Sequence, residues 1–268
     1  MKKDHLFLLF LLGTCALPAC TASDQPVAPP AEISFDSLTP AHVKNAFRLV
    51  WRDEFEGSVI DGKKWNFRGE GTFRKLATVS RQTISMDGQG HVSIKVTKDP
   101  NGNYYVGQLG TQGLFETTYG YFECKAKMNR TLGPHVAFWL QSPDVAKTGD
   151  PAKHGVEIDI FEYHRKAPGI AHHNLHWDGY GAEHKSAGKQ IPVPGIDDGY
   201  HVFGLEWTET EYIFYVDGLE TWRTATSVSQ RSEYLILSTE LTGWGGDPAQ
   251  GKFPDEVVFD YVRVYKRK

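Results

Sequence analysis

Apolar and polar positions alternate with a period of two through most of the chain, and that period predicts strands. Val92-Ser93-Ile94-Lys95-Val96 alternates strictly, while Val202 to Trp207 and Tyr212 to Val216 run apolar with β-branched and aromatic residues. No amphipathic stretch of ten or more residues at helical period stands out. Asp-Gly occurs at 61–62, 87–88, 178–179, 198–199 and 217–218. The last pair lies between Tyr212–Val216 and Leu219–Arg223, a hairpin signal, because Asp-Gly tolerates the positive φ of a type I′ turn. Many strands with turn signals at short spacing predict an all-β, two-sheet sandwich of jelly-roll type, one sheet curved around a concave face that suits an extended ligand.

One strand carries candidate chemistry: His154-Gly155-Val156-Glu157-Ile158-Asp159-Ile160-Phe161-Glu162-Tyr163. Glu157 and Asp159 share a face, with Val156, Ile158 and Ile160 behind them. Glu162 lies five residues from Glu157, an odd spacing that sends it into the core. One extra residue, a β-bulge near Ile160-Phe161, returns it to the acidic face. Glu157 and Glu162 then stand like residues four apart. Sheet curvature and two long side chains can bring their carboxyl groups to about 5–5.5 Å, the separation of a retaining glycosidase rather than the wider inverting pair. Asp159 between them pushes their titrations apart so that one stays protonated. A solvated acidic face or a cation site is the other reading of this segment.

Around it, His135, Trp139 and Gln141 share one face of His135-Val136-Ala137-Phe138-Trp139-Leu140-Gln141, and His172, Asn174 and His176 share one face of His172–Trp177. The clustered histidines invite a metal, but no acid or Cys set with zinc-site spacing accompanies them. The net charge of −4 and the lack of a basic run exclude a nucleic-acid partner. Aromatic content of 13%, with seven Trp, suits either sandwich cores or the apolar faces of sugar rings.

The N-terminus reads as a targeting segment. Lys2 and Lys3 precede the apolar run Leu6 to Leu12, too short to span a bilayer as a helix. Leu17-Pro18-Ala19-Cys20 resembles the lipobox of bacterial lipoproteins, which implies a signal peptide over 1–19, cleavage before Cys20 and acylation of its thiol. Residue 21 is Thr rather than Asp, which by the same resemblance implies outer-membrane sorting, at the outer membrane or cell surface. Residues 20–45, rich in Pro, Ala and Ser, read as a flexible tether, and 46–268 as the folded domain. Of three Cys, Cys15 leaves with the signal and Cys20 is lipidated. Cys124 alternates with Phe122, Ala126 and Met128, so it reads as a buried apolar residue.

Glu157-Ile158-Asp159-Ile160-Phe161-Glu162 resembles the E-x-D-x-x-E signature of glycoside hydrolase family 16, in its bulged laminarinase, agarase and carrageenase branch. The lichenase branch has E-x-D-x-E instead. Flanking pieces resemble the family in the same order: Trp51–Phe55, Trp65-Asn66, Gly120–Glu123, Ala137–Leu140, Phe203–Trp207 and Phe259–Tyr265. The resemblance covers about 47–268 and implies a concanavalin A-like jelly roll. It also implies retaining hydrolysis within a β-linked chain, with Glu157 as nucleophile, Asp159 as supporting acid and Glu162 as acid/base. Trp139 matches the family's cleft tryptophan and would stack a sugar. His176 resembles a cleft histidine and would bond Asp159 or a substrate hydroxyl. Trp244 in its Gly-rich loop would wall the cleft. Catalysis needs no cofactor, although Glu56, Gly57 and Asp260 lie where family members carry a structural calcium. A monomer acting on polysaccharide is expected. The substrate expected first is a neutral β-1,3-containing glucan. A β-galactan is the alternative, for which Arg68, Arg74, Lys75 and Arg81 could pair with sulfate. The same sandwich also serves lectin-like binding, but a binder has no use for three carboxylates on one strand. A transglycosylase would share the glycosyl-enzyme.

Overall fold

The computed structural model describes Met1 and residues 34–268; the signal segment, Cys20 and most of the expected tether lie outside the described residues. Two sheets form the sandwich, antiparallel except where Ala77–Val79 runs parallel to Tyr104–Val106. In the first, strands Lys185–Pro192, Ile170–Trp177, Glu157–His164, Gly133–Gln141, Glu233–Gly245, Gln108–Gly110 and Asn66–Phe67 follow one another by hydrogen bonding. In the second, Gly120–Lys127 lies between Tyr200–Trp207 and Asp255–Arg267, with the Tyr212–Val216/Leu219–Thr224 hairpin beyond. Asp217 (φ 49°) and Gly218 (φ 79°) make the turn of that hairpin, as the Asp-Gly signal required.

The strands' apolar faces meet between the sheets. Phe138, Leu140, Ile158, Phe161 and Leu175 from one pack against Phe122, Phe203, Phe214, Phe259 and Val262 from the other, all fully buried. Phe161 and Phe203 stack at 4.1 Å, a cross-sheet aromatic pair of about 0.5–1.5 kcal/mol beyond its burial. Cys124 is buried in this core and unpaired. The early and late motifs meet too. Trp51↔Val264 and Asp53↔Val262 are register partners, Asp53 accepts the Trp65 indole N–H at 2.7 Å, and Arg263 donates twice to Glu54.

One boundary shifts here. The compact unit begins at Phe35 rather than near residue 46. Phe35 stacks on Tyr265, Val43 is fully buried, and the Thr39 hydroxyl donates to buried Glu123. The Pro-rich composition masks these few anchoring side chains. Of the residues expected at a calcium, Asp260 is paired with the Lys125 ammonium at 2.8 Å, and Glu56 and Gly57 are exposed.

Candidate active site

The bulge falls where the odd Glu157–Glu162 spacing placed it. Against Gly133–Gln141 the pairs are Gln141↔Glu157, Trp139↔Asp159, Phe138↔Phe161 and Ala137↔Glu162, which skips Ile160. Against Ile170–Trp177, Asp159↔Asn174 is followed by Glu162↔His172. Ile160 and Phe161 both enter the core. Glu157, Asp159 and Glu162 therefore all line one cleft, of about 530 Å³, on the outer face of the first sheet. His135, Trp139, Gln141, His176 and Trp244 line it as well.

The three carboxyl groups have unequal surroundings. Glu157 Oε2 accepts from Gln141 Nε2 at 2.9 Å and from the Tyr180 hydroxyl. Gln141 is fully used: its Nε2 also donates to Tyr180 at 2.6 Å, and its Oε1 accepts from Arg68 at 3.0 Å and from Tyr234. Burial raises the pKa of Glu157 while these two donors oppose it. Glu162 has one donor, Asn174 Nδ2 at 2.6 Å, with His135 Nε2 3.8 Å from its other oxygen. Burial, with added repulsion from Glu157 and Glu240, pushes Glu162 up to about 7. Asp159 is 4% exposed and its Oδ2 has no hydrogen-bond partner; His176 Nε2 lies 3.5 Å away. Burial and then the two glutamates raise the pKa of Asp159 well above its ordinary value, which favours its protonated form. Of the three carboxyl groups Glu157 has the two donors, so a negative charge in the trio is held best there.

The walls follow from alternation and from distant segments. Trp139 donates to Ser238 at 3.0 Å, is only 6% exposed, and has the Arg68 guanidinium over its ring. Besides Tyr180, the open aromatic surface in the cleft is Trp244, 37% exposed, standing edge-on to His135, His164 and His172. Beyond Trp244 and Asn174 the cleft continues into a hollow of about 340 Å³ lined by His172, Gly188, Lys189 and Gln190. Arg68 and Arg74 do reach the cleft, but with protein partners: Arg68 bonds Gln108 and Gln141, and Arg74 pairs with Glu240 at 3.2 Å. Arg81 pairs with Glu70 instead.

Sequence reasoning gave no role to Tyr180, Asn174, Arg68 as a partner of Gln141, or Glu240. Asn174 was visible through its alternation with His172 and His176. Tyr180 followed the Asp178-Gly179 turn signal, but nothing local showed where that turn aims. Glu157, Asp159 and His176 each present a ligand atom within 4.8 Å of the others, the one such group among the described residues. The donor types would suit a cation; two of the three also belong to the carboxyl trio of the catalytic strand.

Two glutamates with unequal hydrogen bonding on one strand of an open groove in a jelly-roll sandwich define a glycosidase cleft. The chain belongs to glycosyl hydrolases family 16, whose sequence model matches residues 73–263. It is 30% identical to the beta-glucanase of Rhodothermus marinus over 99% of this chain and 95% of that protein. It is 25% identical to glucan endo-1,3-beta-glucosidase A1 of Niallia circulans, over 96% of this chain but only 42% of that longer protein. Among solved structures, the laminarinase from Flavobacterium sp. UMI-01 superposes with a TM-score of 0.71 at 26% identity. The match covers 82% of this chain and all of that one.

Proposed function

We propose that the protein is an endo-acting, retaining hydrolase of a neutral β-1,3-containing glucan. The observation that carries the mechanism is the unequal hydrogen bonding of Glu157 and Glu162. Glu157, ionised, attacks the anomeric carbon as Glu162 gives its proton to the leaving oxygen. Glu162, now a base, takes a proton from water, which displaces Glu157 and restores the starting configuration. In its protonated form, which burial favours, Asp159 keeps a second negative charge away from the nucleophile and can donate a hydrogen bond within the trio.

Two facts support the substrate. The relatives and the solved structure named above are a beta-glucanase, an endo-1,3-beta-glucosidase and a laminarinase. Both cleft arginines have protein partners, so neither is poised for a sulfate group. The hollow that shares Trp244 and Asn174 with the cleft lengthens the groove, as a mid-chain cut requires. Incubation with laminarin, mixed-linkage glucan, β-1,3-galactan, agarose and carrageenans, followed by sizing of products, tests this. Oligosaccharides from laminarin are expected; products from a sulfated galactan alone would overturn the substrate, and monosaccharide release from chain ends would overturn the endo action.

The Leu17–Cys20 segment supports a further part of the proposal, a lipid anchor on Cys20 that holds the enzyme at the outer membrane or cell surface. Mass spectrometry of the mature N-terminus tests it. An acylated Cys20 is expected, and an unacylated start elsewhere would refute it.

A further inference from the structure

We propose that Tyr180 is a positioning residue that selects the attacking oxygen of Glu157 and acts chiefly on the second half-reaction; this rests on the double displacement proposed above. The geometry is specific. Tyr180 and Gln141 both donate to Oε2 of Glu157, and among the described residues none donates to Oε1. Gln141 also donates to the Tyr180 oxygen, so the phenol has a single proton to give and it goes to Oε2. Oε1 is left with its lone pairs free to attack.

Tyr180 is exposed at the rim, yet its loop is tied down. Asp178 accepts from Gly149 N–H at 2.9 Å and from Lys185 at 2.8 Å, and Gly179 N–H donates to Val145 O at 2.9 Å. Asp178 (φ 60°) and Gly179 (φ 72°) give the turn its hand, and a Cβ at Gly179 would press on Ala146 O at 3.0 Å. On the far side His184 stacks on His176 and lies beside Tyr180. Burial and the Glu157 charge hold the phenol above its ordinary pKa, so it remains a donor at every working pH.

The consequence follows from charge. In the first step the Oε1 lone pair forms a bond to the anomeric carbon. The glycosidic bond breaks, and its electron pair leaves on the oxygen that Glu162 protonates. Oε2 becomes an ester carbonyl, a weaker acceptor than a carboxylate. In the second step water loses a proton to Glu162 and attacks. The bond to Oε1 breaks, and its pair returns to the carboxylate, which Tyr180 and Gln141 again stabilise. A donor that prefers the carboxylate therefore favours release of the sugar over formation of the ester.

The test is Tyr180→Phe in the full chain, which removes one hydroxyl at an exposed site. Wild type and variant are treated with an activated 2-deoxy-2-fluoro glycoside of the oligosaccharide that the enzyme releases. The adduct is located by peptide mass, excess reagent is removed, and recovery of activity is followed. We expect an adduct on Glu157 in both. Recovery should be about tenfold slower in the variant, the scale of one charged hydrogen bond, and kcat and KM should fall together on an activated substrate while kcat/KM does not fall. Equal recovery with Glu157 labelled in both would overturn the role of Tyr180 and leave the double displacement standing. A lower kcat/KM with unchanged recovery would reduce Tyr180 to a structural part. An active wild type whose Glu157 never labels would overturn the nucleophile itself, and this inference with it.

Discussion

Asn174 is the register partner of Asp159, yet its side-chain amide reaches past that residue and donates to Glu162 Oε2 at 2.6 Å. The bulge at Ile160-Phe161 causes the offset, because it brings Glu162 one position closer along the acidic face. Asn174 is therefore the one neighbour that favours the charged form of Glu162, while burial and the surrounding carboxylates oppose it.

Asn174→Ala should raise the pKa of Glu162 above about 7. A general acid works while protonated, so the alkaline limb of kcat/KM should move up, by roughly half to one pH unit. A pH–rate profile of variant and wild type checks this; a limb that stays or moves down would show that Glu162 does not set it.

Gly188 is the register partner of Asn174 on the next strand, and a Cβ there would lie 2.0 Å from Asn174 Oδ1 and 2.8 Å from His173 O. Gly188→Ala must therefore shift the Asn174 amide out of the position from which it bonds Glu162, with about 1–3 kcal/mol of overpacking strain. The alkaline limb should shift as in Asn174→Ala, and the double variant should shift no further. Additive shifts would mean that the two residues act separately.

Stability should fall as pH rises from 6.5 to 8.5. Burial raises Glu123 and Glu162 to about 7 and Glu233 to about 8, so the folded state holds protons that the unfolded chain has lost above its carboxyl pKa. Stability therefore declines from that lower pKa up to each folded value. Below 6.5 the histidines pushed down to about 4 by burial, His164, His173 and His176, act in the opposite sense, since the unfolded chain gains protons there that the fold refuses. Above 6.5 they no longer contribute, and His201, raised by Asp217, adds to the decline. Glu233→Gln should flatten the decline by an amount of order 2 kcal/mol between pH 6.5 and 8. Chemical denaturation across that range measures it, and a slope unchanged by the substitution would contradict the assignment.

The strand Glu157–His164 was readable because one residue of excess between two acids leaves few ways to face both toward the cleft. Gln141 and His176 were readable for the same reason, since strand alternation is local. Arg68, Glu240 and Tyr180 were not, because each reaches the site through cross-sheet register or a turn whose direction is set by tertiary contacts. The hydrogen bonds of Asp178 to Gly149 and Lys185 are such contacts. Composition misled at the N-terminal boundary, where Phe35, Thr39 and Val43 dock within a segment whose prolines and alanines suggest a tether. Asp260 sits on the strand the flanking motif predicted, but the partner that claims it, Lys125, comes from the neighbouring strand.

The central claim is that Glu157 attacks the sugar and Glu162 handles the proton, and the most direct measurement is the anomeric configuration of the azide adduct formed by Glu157→Ala. With the nucleophile gone, azide should enter the vacated space and attack from the same face. Turnover should be restored on an activated β-glycoside, with the inverted α-glycosyl azide as product. Near-normal hydrolysis by Glu157→Ala without azide, or a glycosyl azide of retained β configuration, would contradict the account.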